Sequence, residues 1–160
     1  LADNTVMPIG SLQKKSKIII GWREWCSLPD LDIAGINAKI DTGAKTSSLH
    51  AYKIQPFSKE GELWVKFRVH PVQRRRQPEI ICQAKVETRY VIKTTMILGA
   101  HTFATEITLS NRDEMGYRML IGRQSLSQRF VVDPSLSYTT GDYDEKDLYP
   151  AYYNKIKDQS

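Results

Sequence analysis

The chain has 160 residues, of which 41% are hydrophobic and 26% are charged, and its formal net charge is +5. This composition excludes a collagen-like or wholly disordered chain, and the length favours a single main domain. No apolar run approaches the roughly 18 residues that a membrane-spanning helix needs, so no membrane partner is expected. The basic charge indicates an anionic partner, such as nucleic acid or an acidic peptide, or simply a well-solvated surface.

Short segments rich in alternating or β-branched apolar residues predict a mostly β protein. The predicted strands, in chain order, are Ile18–Trp25, Ile36–Asp41, Leu63–Val69, Ile80–Val86, Tyr90–Leu98, Phe103–Leu109, Arg118–Ile121 and Phe130–Asp133. Between the last two strands, Arg123–Gln128 is predicted to form one or two helical turns. Strand spacings near ten residues, with Gly, Pro, Asn and Ser between them, are typical of a compact barrel or sandwich.

The chain divides into three predicted parts: an N-terminal arm over residues 1–17, the β domain over residues 18–140 and a tail over residues 141–160. The tail holds five acidic side chains and four tyrosines without clear periodicity, so we expect it to pack loosely. Cys26 and Cys82 are too few for a disulfide scaffold and lack metal-ligand spacing. They are either buried thiols or one bridge.

A turn-forming acidic motif follows the second predicted strand, where Ile40 is succeeded by Asp41, Thr42 and Gly43. Acid–base catalysis requires a carboxylate on a rigid, sharply turned loop, and glycine permits both the turn and a close backbone approach. Alone, the motif is better explained as a simple turn after a strand, because Asp and Gly favour turns. A second segment favours the catalytic interpretation, because an apolar strand there runs into glycine and would pass behind the acidic loop. Its residues are Leu120, Ile121, Gly122 and Arg123.

This pairing resembles the retropepsin-like aspartic peptidases, which combine an Asp-Thr-Gly-Ala loop with a later apolar-apolar-Gly-Arg segment. Six ordered segments are similar to the bacterial family named ATP-dependent zinc proteases, which includes RimB-type peptidases: GWREW (21–25), KIDTGAKTSSLHA (39–51), WVKFRVHP (64–71), RYVIKT (89–94), TLSNRD (108–113) and GYRMLIGR (116–123). That family is associated with glutamate ligases that extend a ribosomal protein with glutamates. The resemblance covers about residues 18–140 and implies an all-β, closed or nearly closed acid-protease barrel with one short helix.

The resemblance implies an aspartic-type peptidase, a hydrolase in which two carboxylates share one proton and activate a water. Because the sequence holds a single Asp-Thr-Gly, the second carboxylate would come from another copy, so a twofold homodimer is expected. By this resemblance the catalytic residues are Asp41, Thr42 and Gly43, and the residues that support the site are Leu120, Ile121 and Gly122.

Lys45 stands where viral retropepsins usually carry an acid that pairs with the arginine of the Gly-Arg segment. Since Arg123 is retained, two neighbouring cations replace an ion pair, which favours an acidic or glutamate-rich peptide as substrate. A Lys45 side chain that merely points into water explains the sequence equally well. The predicted substrate-binding residues are Ala44, Lys45, Arg112 and Arg123.

The family name suggests zinc and ATP, and the sequence supports neither. The three histidines are scattered, and neither a His-Glu-x-x-His motif nor a Gly-x-x-x-x-Gly-Lys phosphate loop is present, so no metal and no cofactor are expected. The alternative function is a non-catalytic basic β-barrel module that binds anionic ligands such as acidic peptides or RNA. The arginine run Arg74–Arg76 fits RNA, or simply a solvated loop tip, and nucleic acid is the less favoured partner. The compartment stays open between the bacterial cytoplasm and periplasm.

Overall fold

A computed structural model describes residues 16–111 and 116–159 of the chain. The described residues form eleven strands: β1 (Ile18–Ile20), β2 (Arg23–Leu28), β3 (Ile33–Ile40), β4 (Ser47–His50), β5 (Tyr52–Lys59), β6 (Glu62–Val69), β7 (Ile80–Thr88), β8 (Val91–Leu98), β9 (His101–Ser110), β10 (Met119–Ile121) and β11 (Phe130–Val132). A 3-10 turn spans Pro29–Leu31, and the α-helices are α1 (Arg123–Leu126), α2 (Glu145–Leu148) and α3 (Pro150–Gln159). None of the described helices is long and apolar enough to cross a membrane.

Six of these strands close into a barrel in the order β2, β3, β10, β4, β9 and β8. Closure comes from the antiparallel pairing of Ser27 in β2 with Ile97 in β8. On its other edge, β8 continues into an antiparallel extension formed by β7, β6 and β5. The predicted all-β, closed barrel is therefore confirmed, with more short helices than the single one expected.

The core of the barrel is aliphatic, and alternation along the strands supplies it. In β3, for example, Ile36, Ala38 and Ile40 point inward and are at most 8% exposed. Each fully buried aliphatic side chain of this size stabilises the fold by about 1.5–3 kcal/mol relative to exposure. Cys26 and Cys82 are both buried as free thiols, and burial raises the pKa of each to about 12.

The first predicted strand is interrupted, because the chain passes very close to a later segment at Gly21. A Cβ atom at this position would lie only 2.1 Å from the Leu136 carbonyl oxygen. The neighbouring Trp22 donates its N–H to the same oxygen at 2.8 Å. The interruption separates β1 from β2, and β1 pairs in parallel with β11 as a two-stranded sheet outside the barrel.

Two further elements differ from the sequence-based expectation. The strands β4 and β5 were not predicted, since their segment is rich in serine and contains Pro56.

The tail forms α2 and α3, and the buried Tyr149 hydroxyl donates to the Gly35 carbonyl of β3. The expectation of a loosely packed tail is therefore wrong, because Tyr149 anchors it to the barrel. Most of the predicted N-terminal arm, residues 1–15, lies outside the described residues.

Candidate functional site

The loop that carries Asp41 leaves the end of β3 beside the end of β10. The two strands run parallel, with Ile40 opposite Ile121, and β10 pairs on its other side with the antiparallel β4. The Asp41 N–H donates to the Ile121 carbonyl at 2.9 Å, which ties the start of the loop to the neighbouring strand. The two segments that the sequence analysis paired thus meet in space.

The Asp41 carboxylate stands in a turn that solvent reaches. Its Oδ1 accepts the Gly43 N–H at 3.1 Å, and the Ala44 N–H donates to the Asp41 carbonyl at 3.2 Å. Such a turn, closed by an aspartate side chain, is one that the residue forms readily. Asp41 is half-buried, whereas Thr42 and Gly43 are exposed. The carboxylate therefore combines a fixed position with access from outside.

Gly122 and Arg123 pack against the loop that carries Asp41 and fix its position. A Cβ atom on Gly122 would lie 2.5 Å from the Thr46 carbonyl oxygen, so the crossing requires glycine. The Arg123 guanidinium donates through Nη1 to the Thr42 carbonyl at 3.1 Å and the Gly43 carbonyl at 3.0 Å. Arg123 therefore has a structural role in the loop that the sequence analysis did not anticipate.

A buried chain of hydroxyl groups supports this crossing, and the sequence analysis missed it. Ser47 Oγ accepts the Gly122 N–H at 3.1 Å and lies 2.6 Å from Ser125 Oγ. Ser125 Oγ lies in turn 2.7 Å from Thr105 Oγ1 in β9. The available signal was a set of small hydroxyl residues in otherwise apolar strands, which is weak because serine is also common on surfaces. These hydroxyl groups link β4, α1 and β9 next to the crossing of Gly122.

The remaining predicted residues are placed as follows. Ala44 and Leu120 are half-buried, Ile121 is buried and Lys45 is exposed. The Lys45 carbonyl accepts the Gln124 N–H at 3.0 Å, so the backbones of the two predicted cationic segments are joined. Arg112 lies outside the described residues. The structure thus brings Asp41–Lys45 and Leu120–Arg123 together, and their individual roles stay predictions.

The described residues hold no group of three or more His, Cys, Asp and Glu side chains that could bind a metal ion. Of the histidines, His50 and His70 line one cleft, whereas the His101 ring packs against Phe130 with ring centroids 5.1 Å apart. The predictions that the protein uses no metal and no cofactor stay predictions.

Relatives among curated proteins share this chain's sequence over most of its length. It is 43% identical to a probable alpha-L-glutamate ligase of Shewanella halifaxensis, over 86% of this chain and 33% of the relative. It is 44% identical to proteins of the same name from Desulfotalea psychrophila, over 88% of this chain and 33% of the relative, and Parasynechococcus marenigrum, over 85% and 32%. The chain therefore spans about a third of the length of these relatives.

A solved structure shares the fold. It is the crystal structure of a protein of unknown function from Legionella pneumophila, with a TM-score of 0.70 and 29% sequence identity. The match covers 78% of this chain and 99% of that chain. Almost the whole of that protein therefore corresponds to the larger part of this one.

The relatives correct the predicted function. The sequence analysis expected an aspartic-type peptidase, and with it a hydrolase, whereas the relatives at 42–44% identity are named for ligation with α-L-glutamate. The prediction of a peptidase is wrong on this finding, because a fold and a turn motif do not by themselves fix the reaction. The family itself is confirmed: the model described as "RimB-like: Retropepsin-like aspartic endopeptidase RimB" matches residues 19–142, and the chain belongs to this RimB-like family.

Proposed function

We propose that this chain takes part in α-L-glutamate ligation as the portion that binds the acidic peptide. The observation that carries the proposal is the sequence identity of 42–44% with probable alpha-L-glutamate ligases, over 85–91% of this chain. Since the alignment covers only 32–34% of each relative, the chain corresponds to one portion of such a protein. A binding role for that portion develops the non-catalytic alternative of the sequence analysis.

The chemistry of the product supports a basic binding partner. Each glutamate residue in a peptide adds a carboxylate, so a glutamate-rich peptide is a polyanion at neutral pH. This chain has a net charge of +5, and Lys45 and Arg123 are both exposed beside the Asp41 loop. The Arg123 N–H donates to the Ala44 carbonyl at 2.8 Å, which holds the two cationic residues on adjoining backbones. These two side chains are the proposed contacts for peptide carboxylates.

Asp41 determines the orientation in which a peptide would bind beside Lys45 and Arg123. Its carboxylate repels the carboxylates of a glutamate-rich peptide and attracts an ammonium group, such as the α-amino end of glutamate. The bond from Gly43 N–H to Oδ1 and the hold of Arg123 on the loop carbonyls keep the carboxylate in place. An acidic peptide would therefore place its amino end at Asp41 and its carboxylates towards the cations.

Binding of fluorescein-labelled hexaglutamate, followed by fluorescence anisotropy, tests the proposal. We expect the wild-type chain to bind this peptide and to leave hexaglutamine unbound, because the contacts are to carboxylates. The variant Lys45→Gln should bind hexaglutamate about three- to tenfold more weakly, since it loses a charged contact at an exposed position.

The matched control is Lys93→Gln, which removes the same charge from an exposed position of β8, a strand that does not pair with β3, β4 or β10. This variant should bind hexaglutamate within twofold of the wild type. Equal binding of hexaglutamine, or no binding of either peptide, would contradict the proposed function.

A further inference from the structure

A second basic region lies at the other end of β4 and β10 from the Asp41 loop. It is a cleft of about 470 Å³, a volume typical of ligand sites. None of its residues belongs to the site predicted from the sequence. The residues that line it are His50, Tyr52, His70, Arg76, Asn111 and Arg118.

The position of the cleft relative to the Asp41 loop follows from the strand register. Arg118 immediately precedes β10, and its carbonyl accepts the His50 N–H at 2.8 Å. Ile121, whose carbonyl binds the Asp41 N–H, is three residues further on, a distance of about 10 Å along a strand. By strand alternation, Arg118 and the half-buried Leu120 share one face of β10. This face connects the cleft with the Asp41 loop.

Arg118 is held in a fixed position within the cleft. Its Nη1 lies 3.3 Å from His50 Nδ1, and its Nη2 lies 3.4 Å from the Arg75 carbonyl, to which it donates. Because a guanidinium only donates hydrogen bonds, His50 Nδ1 is the acceptor in this contact. The contact with Arg75 also ties the arginine run to the cleft wall, where Arg76 lines the opening. All three arginines of the run are exposed, so the run is solvated as well as attached to the cleft.

One acidic side chain near this cleft, Glu79, is already paired with donors of the protein itself. Glu79 accepts hydrogen bonds from the Tyr52 hydroxyl and from Arg68 Nη1, the latter at 2.8 Å. These partners hold the pKa of Glu79 below its usual range, with the Tyr52 hydroxyl as the largest cause. Tyr52 in turn stacks on His70 with ring centroids 4.5 Å apart. Among the described residues that line the cleft, two are guanidinium groups and none is a carboxylate.

His70 adds polarity to the cleft and no fixed charge. Burial, followed by the nearby charge of Arg118, lowers the pKa of His70. The imidazole is therefore neutral at pH 7, and the positive charge of the cleft comes from Arg76 and Arg118. Guanidinium groups suit carboxylates because their planar N–H donors match the two carboxylate oxygens, and the Asn111 amide adds a further donor.

We propose that this cleft binds side-chain carboxylates of a glutamate-rich peptide that extends along β10 from the Asp41 loop. The inference rests on the proposed function, since it names where the peptide continues beyond Lys45. An extended peptide advances about 3.3 Å per residue, so three to four residues bridge the distance of about 10 Å between the two regions. Hexaglutamate is long enough to reach both regions, and diglutamate is too short.

Substitutions that remove one positive charge test the cleft with the same anisotropy measurement. Arg76→Gln and Arg118→Gln should each weaken hexaglutamate binding about tenfold, because each removes a charged contact in a partly enclosed site. Arg76 is exposed, so its substitution leaves the fold intact even if Arg118→Gln does not fold. Arg74→Gln is the matched control, since it removes an exposed arginine of the same loop that does not line the cleft, and it should change binding less than twofold.

The three histidines report the location of binding independently. In a chain labelled at histidine, hexaglutamate should shift the NMR signals of His50 and His70, which line the cleft, and leave His101 unchanged. Glutarate, a small dicarboxylate, should shift the same two signals more weakly.

Each outcome of these titrations decides between the proposals. Two results would overturn the proposal for the cleft and leave the proposed function standing. One is hexaglutamate binding without shifts at His50 and His70, and the other is unchanged hexaglutamate affinity in Arg76→Gln. Shifts of both histidines with glutarate, but no hexaglutamate binding, overturn both proposals, because the cleft would then take a small dicarboxylate and no peptide. The absence of any response to either compound overturns both.

Discussion

Glu24 is the second residue of β2 and a charged residue with no exposed surface. Its Oε2 accepts the Gly21 N–H at 2.7 Å and both the N–H and hydroxyl of Thr139, at 3.0 and 2.7 Å. Its Oε1 accepts the N–H and hydroxyl of Thr140, at 3.1 and 3.0 Å. Burial alone would raise the pKa of this carboxyl, and the hydrogen bonds outweigh burial, so the pKa is lowered.

Substitution Glu24→Gln should destabilise the protein by about 2–4 kcal/mol, because an amide group then faces donors that bonded a carboxylate. The free energy of unfolding, measured in urea, checks this value. Glu62→Gln is the control, since Glu62 is half exposed and pairs with Lys85 at 3.0 Å. This control should change stability by less than about 1 kcal/mol. Equal effects of the two substitutions would contradict the role of Glu24.

The stabilisation of the fold by Glu24 depends on pH in a defined way. Because the folded-state pKa of Glu24 lies below its ordinary value of 4.5, the stabilisation is fully present above that value. It is lost as pH falls through the lowered folded pKa. The stability difference between wild type and Glu24→Gln should therefore shrink when urea unfolding is repeated below pH 4.5.

The residue-scale predictions from the sequence succeeded where one local motif sufficed. Gly122 was expected at a strand crossing, and its lack of a side chain is what the Thr46 carbonyl requires. Glu24 was not recognised, because its partners Thr139 and Thr140 lie more than 110 residues away in sequence. Nothing local distinguishes a buried, fully bonded carboxylate from an exposed one.

At the scale of elements, the C-terminal helices depend on one face of β3. The Tyr149 hydroxyl donates to the Gly35 carbonyl and accepts the Gly35 N–H at 3.3 Å. Gly35 also lies against Leu148, whose Cδ1 would be 2.7 Å from a Cβ atom at that position. The helix pattern in the tail is weak in sequence because long-range docking, rather than a strong amphipathic face, holds it.

Substitution Tyr149→Phe should lower the free energy of unfolding by about 1–3 kcal/mol, since it leaves buried polar groups of Gly35 without their partner. Urea unfolding measures this change. The control is Tyr143→Phe, which removes a hydroxyl from a tail side chain that is 50% exposed, and it should have little effect.

Hydrogen exchange separates docking from general stability. The amides of α2 and α3 should exchange faster in Tyr149→Phe, whereas those of the barrel strands β8 and β9 should change only as much as the global stability does. Unchanged exchange in the tail would mean that Tyr149 does not anchor it.

At the scale of the whole molecule, the barrel could be predicted from strand spacing and from a family resemblance, and the reaction could not. Closure through Ser27 and Ile97 joins strands about 70 residues apart, a pairing that no local pattern specifies. The peptidase prediction failed because the Asp41 turn and the Gly122 crossing report a backbone arrangement, which proteins with different reactions can share. The homodimer stays a prediction, which the molecular mass in solution would check.

The net charge of +5 gives the proposed peptide binding a salt dependence that belongs to the molecule as a whole. Raising NaCl from 0.1 to 1 M shortens the Debye length from about 10 Å to about 3 Å, so charges at exposed Lys45 and Arg76 are screened. Hexaglutamate affinity should fall by about tenfold or more across this range. The variant Arg76→Gln should show a shallower dependence because it has one cation fewer. Affinity that is independent of salt would mean that carboxylate contacts do not drive binding.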